Sequence, residues 1–434
     1  MNLFETIRNL TAKEKITFNI HITYSIMQGI VLGAFVLNEF IFITDMHGSK
    51  MKLSILLQFA VIVLLLTTFI NEFLKRLKFP MKAIRRLAFL THLPLLTLTF
   101  FPTNPADYKP IHHSIFLGVF FLFYLNDMIV MPSLNQRLKQ NYSHENFGKL
   151  YSYASSVNKI VILVIAFSFG ILLDHYNFAF TIVYPVLALV GIASVHLLSR
   201  LQDEERQIPD TKTGFISAVK KSMKTNFDIL KNDKPFLHFQ IGFMLYGFGW
   251  MITAAVITIY FREVFQMNHQ TFSFYKNVFY NIIAIILLPY FGKLLGKIDP
   301  RRFGIYTFGS LMLFLFILGI AQHFMWHFNV LGITIFPILI LAYLVYSIFA
   351  ATMALLWYIG SAYFCKNEDV ADYQSVHLFL TGLRGIIGFQ LGIIFYQSLG
   401  FSATFFIAVG LLLLSMGVLA WSEKRDSGNK INDM

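Results

Sequence analysis

Long apolar runs alternate with short polar loops along almost the whole chain. A membrane-spanning helix needs about 20 mainly apolar residues, and the pattern contains twelve such runs. They are residues 16–43, 53–72, 84–101, 113–134, 151–173, 178–198, 236–262, 272–292, 303–322, 332–363, 373–396 and 401–421. The pattern therefore predicts an all-α membrane protein with 12 transmembrane helices.

The longest polar segment, residues 199–235, separates six predicted spans from the other six. We interpret 1–198 and 236–434 as two six-helix halves, the second with a short cytoplasmic tail. Apolar residues recur at helical spacing within the segment: Ile216, Val219, Met223, Phe227 and Leu230. This spacing predicts an amphipathic helix on the cytoplasmic membrane surface. Packing against the underside of the helix bundle explains the spacing equally well.

The composition supports a membrane protein: 56% of residues are hydrophobic and 13% are charged, with a net charge of +12. The basic excess lies in short loops such as "FLKRLKFPMKAIRR" after the second span, whereas the loops after spans 5, 9 and 11 have no Lys or Arg. This asymmetry sets orientation in a membrane and gives no sign of nucleic-acid binding. It predicts a multi-pass protein of the cytoplasmic (inner) membrane with both termini cytoplasmic.

The two halves resemble each other when the second is shifted back by 225 residues. Arg384 then falls on Lys159, His377 on Ser152 and Thr381 on Ser156. Two parallel six-helix repeats are a known construction of secondary transporters, in which the substrate site lies near the bilayer midplane. The repeat therefore predicts a transporter with pseudo-symmetric halves.

The turn "GKLLGKIDPRRF" resembles the signature turn of the major facilitator superfamily, although Gly296 replaces its aspartate. In the first half the same turn is more altered, with Asn71 and Lys75 at the glycine and aspartate positions. The resemblance covers essentially the whole chain and implies the two-bundle fold of that family. It implies a gating role on the cytoplasmic side for five residues: Arg76, Gly292, Lys297, Arg301 and Arg302.

Lys159 and Asp127 are two charges inside apolar spans. At 1.5 Å per residue, Lys159 lies about 12 Å from the cytoplasmic end of span 5, and Asp127 lies about 10 Å from that of span 4. A charge at the membrane centre costs about 2.5–3.5 kcal/mol on insertion scales. Two interpretations are open: a structural salt bridge, or a pair that faces the substrate and breaks during transport.

Arg384 shares one helical face with His377 and Thr381. A guanidinium binds carboxylate or phosphate through two parallel hydrogen bonds, whereas the Lys159 ammonium acts as a point charge. The two cations indicate a site for an anionic or zwitterionic substrate. The alternative is an Arg384 that bonds backbone carbonyls or extends towards the cytoplasm.

Polar and aromatic side chains on other spans complete the predicted site. Gln28, His21 and Glu39 form a stripe on the first span. Tyr246, Trp250 and Tyr358 lie on the seventh and tenth spans, which the resemblance implies line the cavity; helix packing is the alternative. The candidates for proton coupling are Asp127, Glu39 and His21, with Asp127 first because it is deepest.

The motifs of enzymes are missing from the sequence: it has no phosphate-binding Gly-rich loop with Lys-Ser/Thr, no metal-spaced His pair and no Gly-x-Ser-x-Gly elbow. We therefore expect no enzyme, no cofactor and no metal. The prediction is a monomeric, proton-coupled permease for a small organic solute that acts by alternating access. A proton-driven exporter of amphiphilic compounds is the alternative, and a transport-inactive membrane receptor is a third candidate.

Overall fold

The computed structural model describes residues 10–75, 80–201, 214–295, 297–366 and 369–432. By its contacts the chain divides into two units. Unit 1 comprises Met1–His47 and Phe69–Phe215, and unit 2 comprises Gly48–Thr68 and Ile216–Met434. The assignment of 1–198 and 236–434 to repeated halves stays a prediction.

The first part of the chain is a series of helices. They are α1 (Ala12–Phe35), α2 (Asn38–Thr44), α3 (Lys50–Lys75), α4 (Pro80–His92), α5 (Pro110–Asn141), α6 (His144–His175) and α7 (Phe180–Leu198). Short 3-10 segments, Leu93–Phe100 and Pro105–Asp107, follow α4. Helix α3 belongs to unit 2 through Thr68 and to unit 1 from Phe69 onward.

The later part of the chain is also almost entirely helical. Its helices are α8 (Phe215–Asn232), α9 (Lys234–Glu263), α10 (His269–Ser273), α11 (Tyr280–Leu295), α12 (Pro300–Ala321), α13 (Pro337–Ile359) and α14 (Val370–Asn432). A π-helical turn, Phe274–Phe279, joins α10 to α11, and the 3-10 segment Gly360–Phe364 follows α13. Gly400, with φ of +85°, interrupts α14, so that its two parts carry the two last predicted spans.

The helical membrane fold is confirmed, and every predicted span overlaps an observed helix. Among the described residues, eight helices are long and apolar enough to cross a membrane, and the longest of them contains two predicted spans. The total of twelve crossings stays a prediction. Helix α8 forms where the amphipathic helix was predicted, with Ile216, Met223 and Phe227 exposed. The side chain of Val219 lies outside the described residues.

A β-hairpin begins the region predicted as span 10. Strands Phe328–Val330 and Ile333–Ile335 pair in antiparallel fashion, and α13 begins only at Pro337. Leu331 and Gly332 both have positive φ, 50° and 81°, which is the backbone of a two-residue hairpin turn. The predicted start at residue 332 was therefore too early, because apolar strand residues continue directly into the apolar helix.

Unit 1 is held together by contacts of α1 with α6 and α7. A Cβ at Gly33 would lie 2.8 Å from the Ile165 side chain, so the small residue permits close helix approach. The Asn158 side-chain amide of α6 donates to the backbone carbonyl of Ser25 at 2.6 Å. Close packing and this partly buried hydrogen bond together fix α6, the helix that carries Lys159.

Unit 2 is built around the packing of α9 on α14. A Cβ at Gly392 would overlap the backbone carbonyl of Ile252, so only glycine permits this helix separation. The beginning of α3 joins the same unit, because Lys50 forms an ion pair with Glu263 at 2.8 Å and donates to the Tyr396 hydroxyl at 2.6 Å. Residues 48–68 thus make their contacts in unit 2, although they precede the second half in sequence.

Candidate functional site

Helices α9 and α14 bring a buried polar cluster together inside unit 2. His377, Thr381 and Arg384 lie on one face of α14, and each is at most 3% exposed. Gln240 and Tyr246 of α9 pack against that face and are also buried. The three residues predicted on span 11 therefore do share one environment, as their helical spacing requires.

Arg384 is enclosed by α9. Its guanidinium donates to the backbone carbonyl of Phe243, and its central carbon lies 5.5 Å from the centroid of the Tyr246 ring. Gly247 makes room for it, because a Cβ there would overlap the guanidinium. The hydrogen bond to the Phe243 carbonyl agrees with the alternative in which Arg384 bonds backbone carbonyls. It uses only one of the five N–H groups of the guanidinium.

His377 is fixed by a second polar contact. Its Nδ1 lies 3.1 Å from Oε1 of Gln240. An amide oxygen only accepts hydrogen bonds, so Nδ1 carries the proton and Nε2 of a neutral ring is left as an acceptor. The Trp357 and Phe243 rings contact the imidazole edge to face, each with its centroid at 4.8 Å. The orientation of the ring is thus set by packing as well as by Gln240.

Several polar atoms of this cluster have no hydrogen-bond partner among the described residues. They are Nε of Arg384, Nε2 of Gln240 and Nε2 of His377. A buried donor without a partner costs about 1–3 kcal/mol, because it has lost its bonds to water. A bound molecule with acceptor oxygens would satisfy the arginine and the amide. The geometry therefore suits binding of an anionic group.

Two of the predicted aromatic residues, Tyr246 and Trp250, belong to a layer that joins α9 to α12 and α13. Tyr246 stacks on Phe308 with ring centroids 4.5 Å apart, and Trp250 stacks on Tyr346 at 5.9 Å. Packing of the helices against one another explains these ring contacts equally well. The side chain of Tyr358 lies outside the described residues.

Lys159 lies on α6 in unit 1, and its side chain is exposed. Of the side chains that the structure describes, none forms a hydrogen bond or an ion pair with its ammonium. The side chain of Asp127 lies outside the described residues, so the salt bridge between them stays a prediction.

The polar residues of the first span are buried in unit 1. The Gln28 amide donates to the Ser194 hydroxyl of α7 at 2.7 Å, and His21 Nδ1 lies 3.3 Å from the Tyr142 hydroxyl. Glu39 lies on α2 and is 5% exposed. Gln28 thus contacts α7, and His21 contacts Tyr142, which directly follows α5 in the same unit.

Two of the residues predicted to gate transport, Arg301 and Arg302, lie at the start of α12. Arg301 forms ion pairs with Asp299 and Asp426. Burial acts to raise the pKa of Asp299, but hydrogen bonds from Arg301 outweigh it and hold that pKa below its ordinary value. These contacts connect the start of α12 to the end of α14.

The other predicted gating residues differ in their surroundings. Arg302 pairs with Glu423 at 2.8 Å. Gly292 and Lys297 are exposed, and Arg76 lies outside the described residues. The gating role of the set stays a prediction.

Three residues of the cluster were not among the predicted site residues: Gln240, Phe243 and Gly247. Gln240 is an amide inside the apolar run "FQIGFMLYGFGW", which is a signal that the sequence does carry. The backbone carbonyl of Phe243 and the open side of Gly247 have no such signal, because any residue has a carbonyl and glycines are common in membrane helices.

We expect Gly247→Ala to reduce transport by displacing Arg384. The added methyl group overlaps the guanidinium, and overpacking of this kind costs about 1–3 kcal/mol. Uptake and thermal unfolding of the purified variant are compared with those of Gly410→Ala, where no neighbouring atom lies within 4 Å of the new Cβ. Wild-type uptake by Gly247→Ala would contradict the proposed position of Arg384.

A sequence profile of the Major Facilitator Superfamily matches residues 18–336 of this chain. A search of curated protein sequences finds no significant match. The fold is similar to that of several solved transporters. The structure of the nucleoside transporter NupG has a TM-score of 0.69 at 12% identity, with 94% of this chain and 99% of that chain covered.

Two further similar structures come from peptide transport. A POT family transporter in complex with 5-aminolevulinic acid has a TM-score of 0.68 at 11% identity, covering 94% of this chain and 96% of that chain. A mutant of the peptide transporter POT in complex with sulfate has a TM-score of 0.63 at 11% identity, with 94% of each chain covered. At these identities the similarity demonstrates the fold alone.

Proposed function

The chain belongs to the major facilitator superfamily, and we propose that it is a permease for a small anionic or zwitterionic organic solute, driven by protons through alternating access. The family membership makes it a multi-pass membrane transporter and not an enzyme. The similar solved structures are those of nucleoside and peptide transporters, so the fold leaves the substrate to the chemistry of this chain's own site.

The buried Arg384 is the observation that supports an acidic substrate. A guanidinium enclosed by protein, with its Nε lacking a partner among the described residues, gains most from a ligand that brings oxygens and negative charge. Gln240 adds an amide donor on the facing helix. A carboxylate or phosphate group of the substrate would bind here.

Lys159 is proposed as the second cation of the transport cycle. It is exposed on α6, and its position in the repeat corresponds to that of Arg384. A zwitterionic or dianionic solute would use both cations at different stages. Asp127 is proposed as the main proton-coupling group, with Glu39 and His21 as alternatives. We place the protein in the cytoplasmic membrane as a monomer, with both termini cytoplasmic.

An exporter of amphiphilic compounds is the second candidate. The stack of Trp250 on Tyr346 favours it, because aromatic faces bind apolar and cationic molecules. The two candidates differ in one requirement. The permease needs a negative charge on its substrate, and the exporter does not.

A thermal-shift screen of the purified protein distinguishes the two candidates. A ligand stabilises the folded state by about 2.7 kcal/mol at 100 times its Kd. We expect organic acids, phosphates or amino acids to raise the unfolding temperature, and sugars to leave it unchanged. Stabilisation by lipophilic cations without any response to acids would overturn the permease in favour of the exporter.

A further inference from the structure

A groove lies on unit 1 where α4 packs beside α7. It encloses a volume of about 530 Å³, and its walls combine basic and apolar side chains. The lining residues are Arg85, Arg86, Phe89, Leu90, Ile192 and His196. None of them belongs to the residues proposed for substrate binding, proton coupling or gating.

The lining residues are ordered along the two helices. Arg85 and Arg86 each stand four residues before an apolar residue of α4, Phe89 and Leu90, and residues four apart share a helix face. One helical turn therefore separates the basic end of the groove from its apolar end. The wall that α4 forms is therefore basic towards the start of the helix and apolar one turn later.

On α7 the order along the chain is reversed, because the apolar residue precedes the basic one. Ile192 lies four residues before His196, which is near the end of the helix. Gly191 of α7 lies against His92 at the end of α4, whereas His196, further along α7, lines the groove with Arg85 and Arg86 of the first part of α4. The two helices therefore run in opposite directions, and the three polar groups lie towards the same end of the groove. By the predicted orientation this is the cytoplasmic end of both helices.

The apolar part of the groove is open to the outside of the unit. Phe89 is 47% exposed and Leu90 is 60% exposed. The two helices meet closely nearby, since a Cβ at Gly191 would overlap the ring of His92. Exposed apolar side chains beyond a basic rim match a molecule with an anionic head and a hydrocarbon tail.

We propose that this groove binds an anionic phospholipid of the surrounding membrane. The phosphate accepts hydrogen bonds from Arg85 and Arg86, which can each bind two of its oxygens, and His196 adds a further polar contact. An acyl chain lies along Phe89, Leu90 and Ile192. Free phosphate would use only the basic end and would leave the apolar walls uncovered.

Retention of lipid by the full-length protein, measured by native mass spectrometry after titration with phosphatidylglycerol, tests the proposal. Two arginines near an anionic membrane surface account for roughly a 30-fold difference in affinity. We expect Arg85→Gln/Arg86→Gln to lose phosphatidylglycerol by about that factor, with phosphatidylcholine binding unchanged. The matched control is Lys220→Gln/Lys221→Gln, which removes the same charge from exposed positions of α8.

Two further arms test the groove itself. Leu90→Trp keeps both arginines and fills the apolar part, so it should also lower phosphatidylglycerol retention, and this variant serves if the double arginine variant fails to fold. Inorganic phosphate should not displace the bound lipid. Equal losses in the arginine and lysine variants would show general charge attraction and overturn the proposal. Displacement by phosphate, or full retention by Leu90→Trp, would overturn it as well.

Discussion

Uptake of an acidic substrate is expected to fall to background in Arg384→Gln, while the variant remains folded. Arg384 is 3% exposed, and the Nε of its guanidinium has no partner among the described residues. Hydrogen bonds to charged groups contribute about 1.5–3 kcal/mol, which corresponds to roughly a 10- to 150-fold loss of affinity. The measurement is counterflow or proton-driven uptake in proteoliposomes, normalised to folded protein.

The thermal stability of the same variant separates a binding role from a structural one. A buried cation without a counter-charge destabilises the folded state, so its replacement by a neutral amide should leave the unfolding temperature unchanged or raise it. Arg384→Lys is the matched control, because it keeps the charge and loses the planar pair of donors. It should retain part of the uptake. A large fall in stability of Arg384→Gln with proportional loss of uptake would mean that the bond to Phe243 is structural.

Lys159→Gln is expected to lose most of its transport at unchanged stability. The side chain is exposed on α6, and exposed substitutions usually change the free energy of unfolding by less than about 0.5 kcal/mol. Uptake and thermal unfolding are measured together. Lys149→Gln on the same helix is the matched control, since Lys149 is exposed and pairs with Glu145 across one helical turn.

The salt-bridge interpretation makes the opposite prediction for Lys159. If Lys159 and Asp127 form a structural pair, Lys159→Gln should lower the unfolding temperature, and Lys159→Gln/Asp127→Asn should restore it. Removal of one partner of an ion pair within an apolar span leaves the other charge unpaired in the membrane, which is costly. Restored stability in the double variant would therefore overturn the transport role of Lys159 proposed above.

The helical membrane architecture could be predicted from the sequence because membrane helices are specified locally. Each span must be apolar along about 20 residues, whatever its neighbours are. The same logic singled out Arg384, since a cation in an apolar span is costly wherever the span packs. The predicted start of span 10 at residue 332 was wrong, because hydropathy does not distinguish apolar strand residues from apolar helix residues.

The sequence alone thus determined the apolar helices and the charges that stand out within them, because the membrane acts as the solvent of every helix separately. Only the tertiary structure decided that Arg384 faces Gly247 and the carbonyl of Phe243, and that His377 bonds Gln240 across 137 positions of the chain. The tertiary structure also decided that the Gln28 amide donates to the Ser194 hydroxyl. Such pairings depend on how helices approach each other, which close packing at small residues fixes and hydropathy does not record.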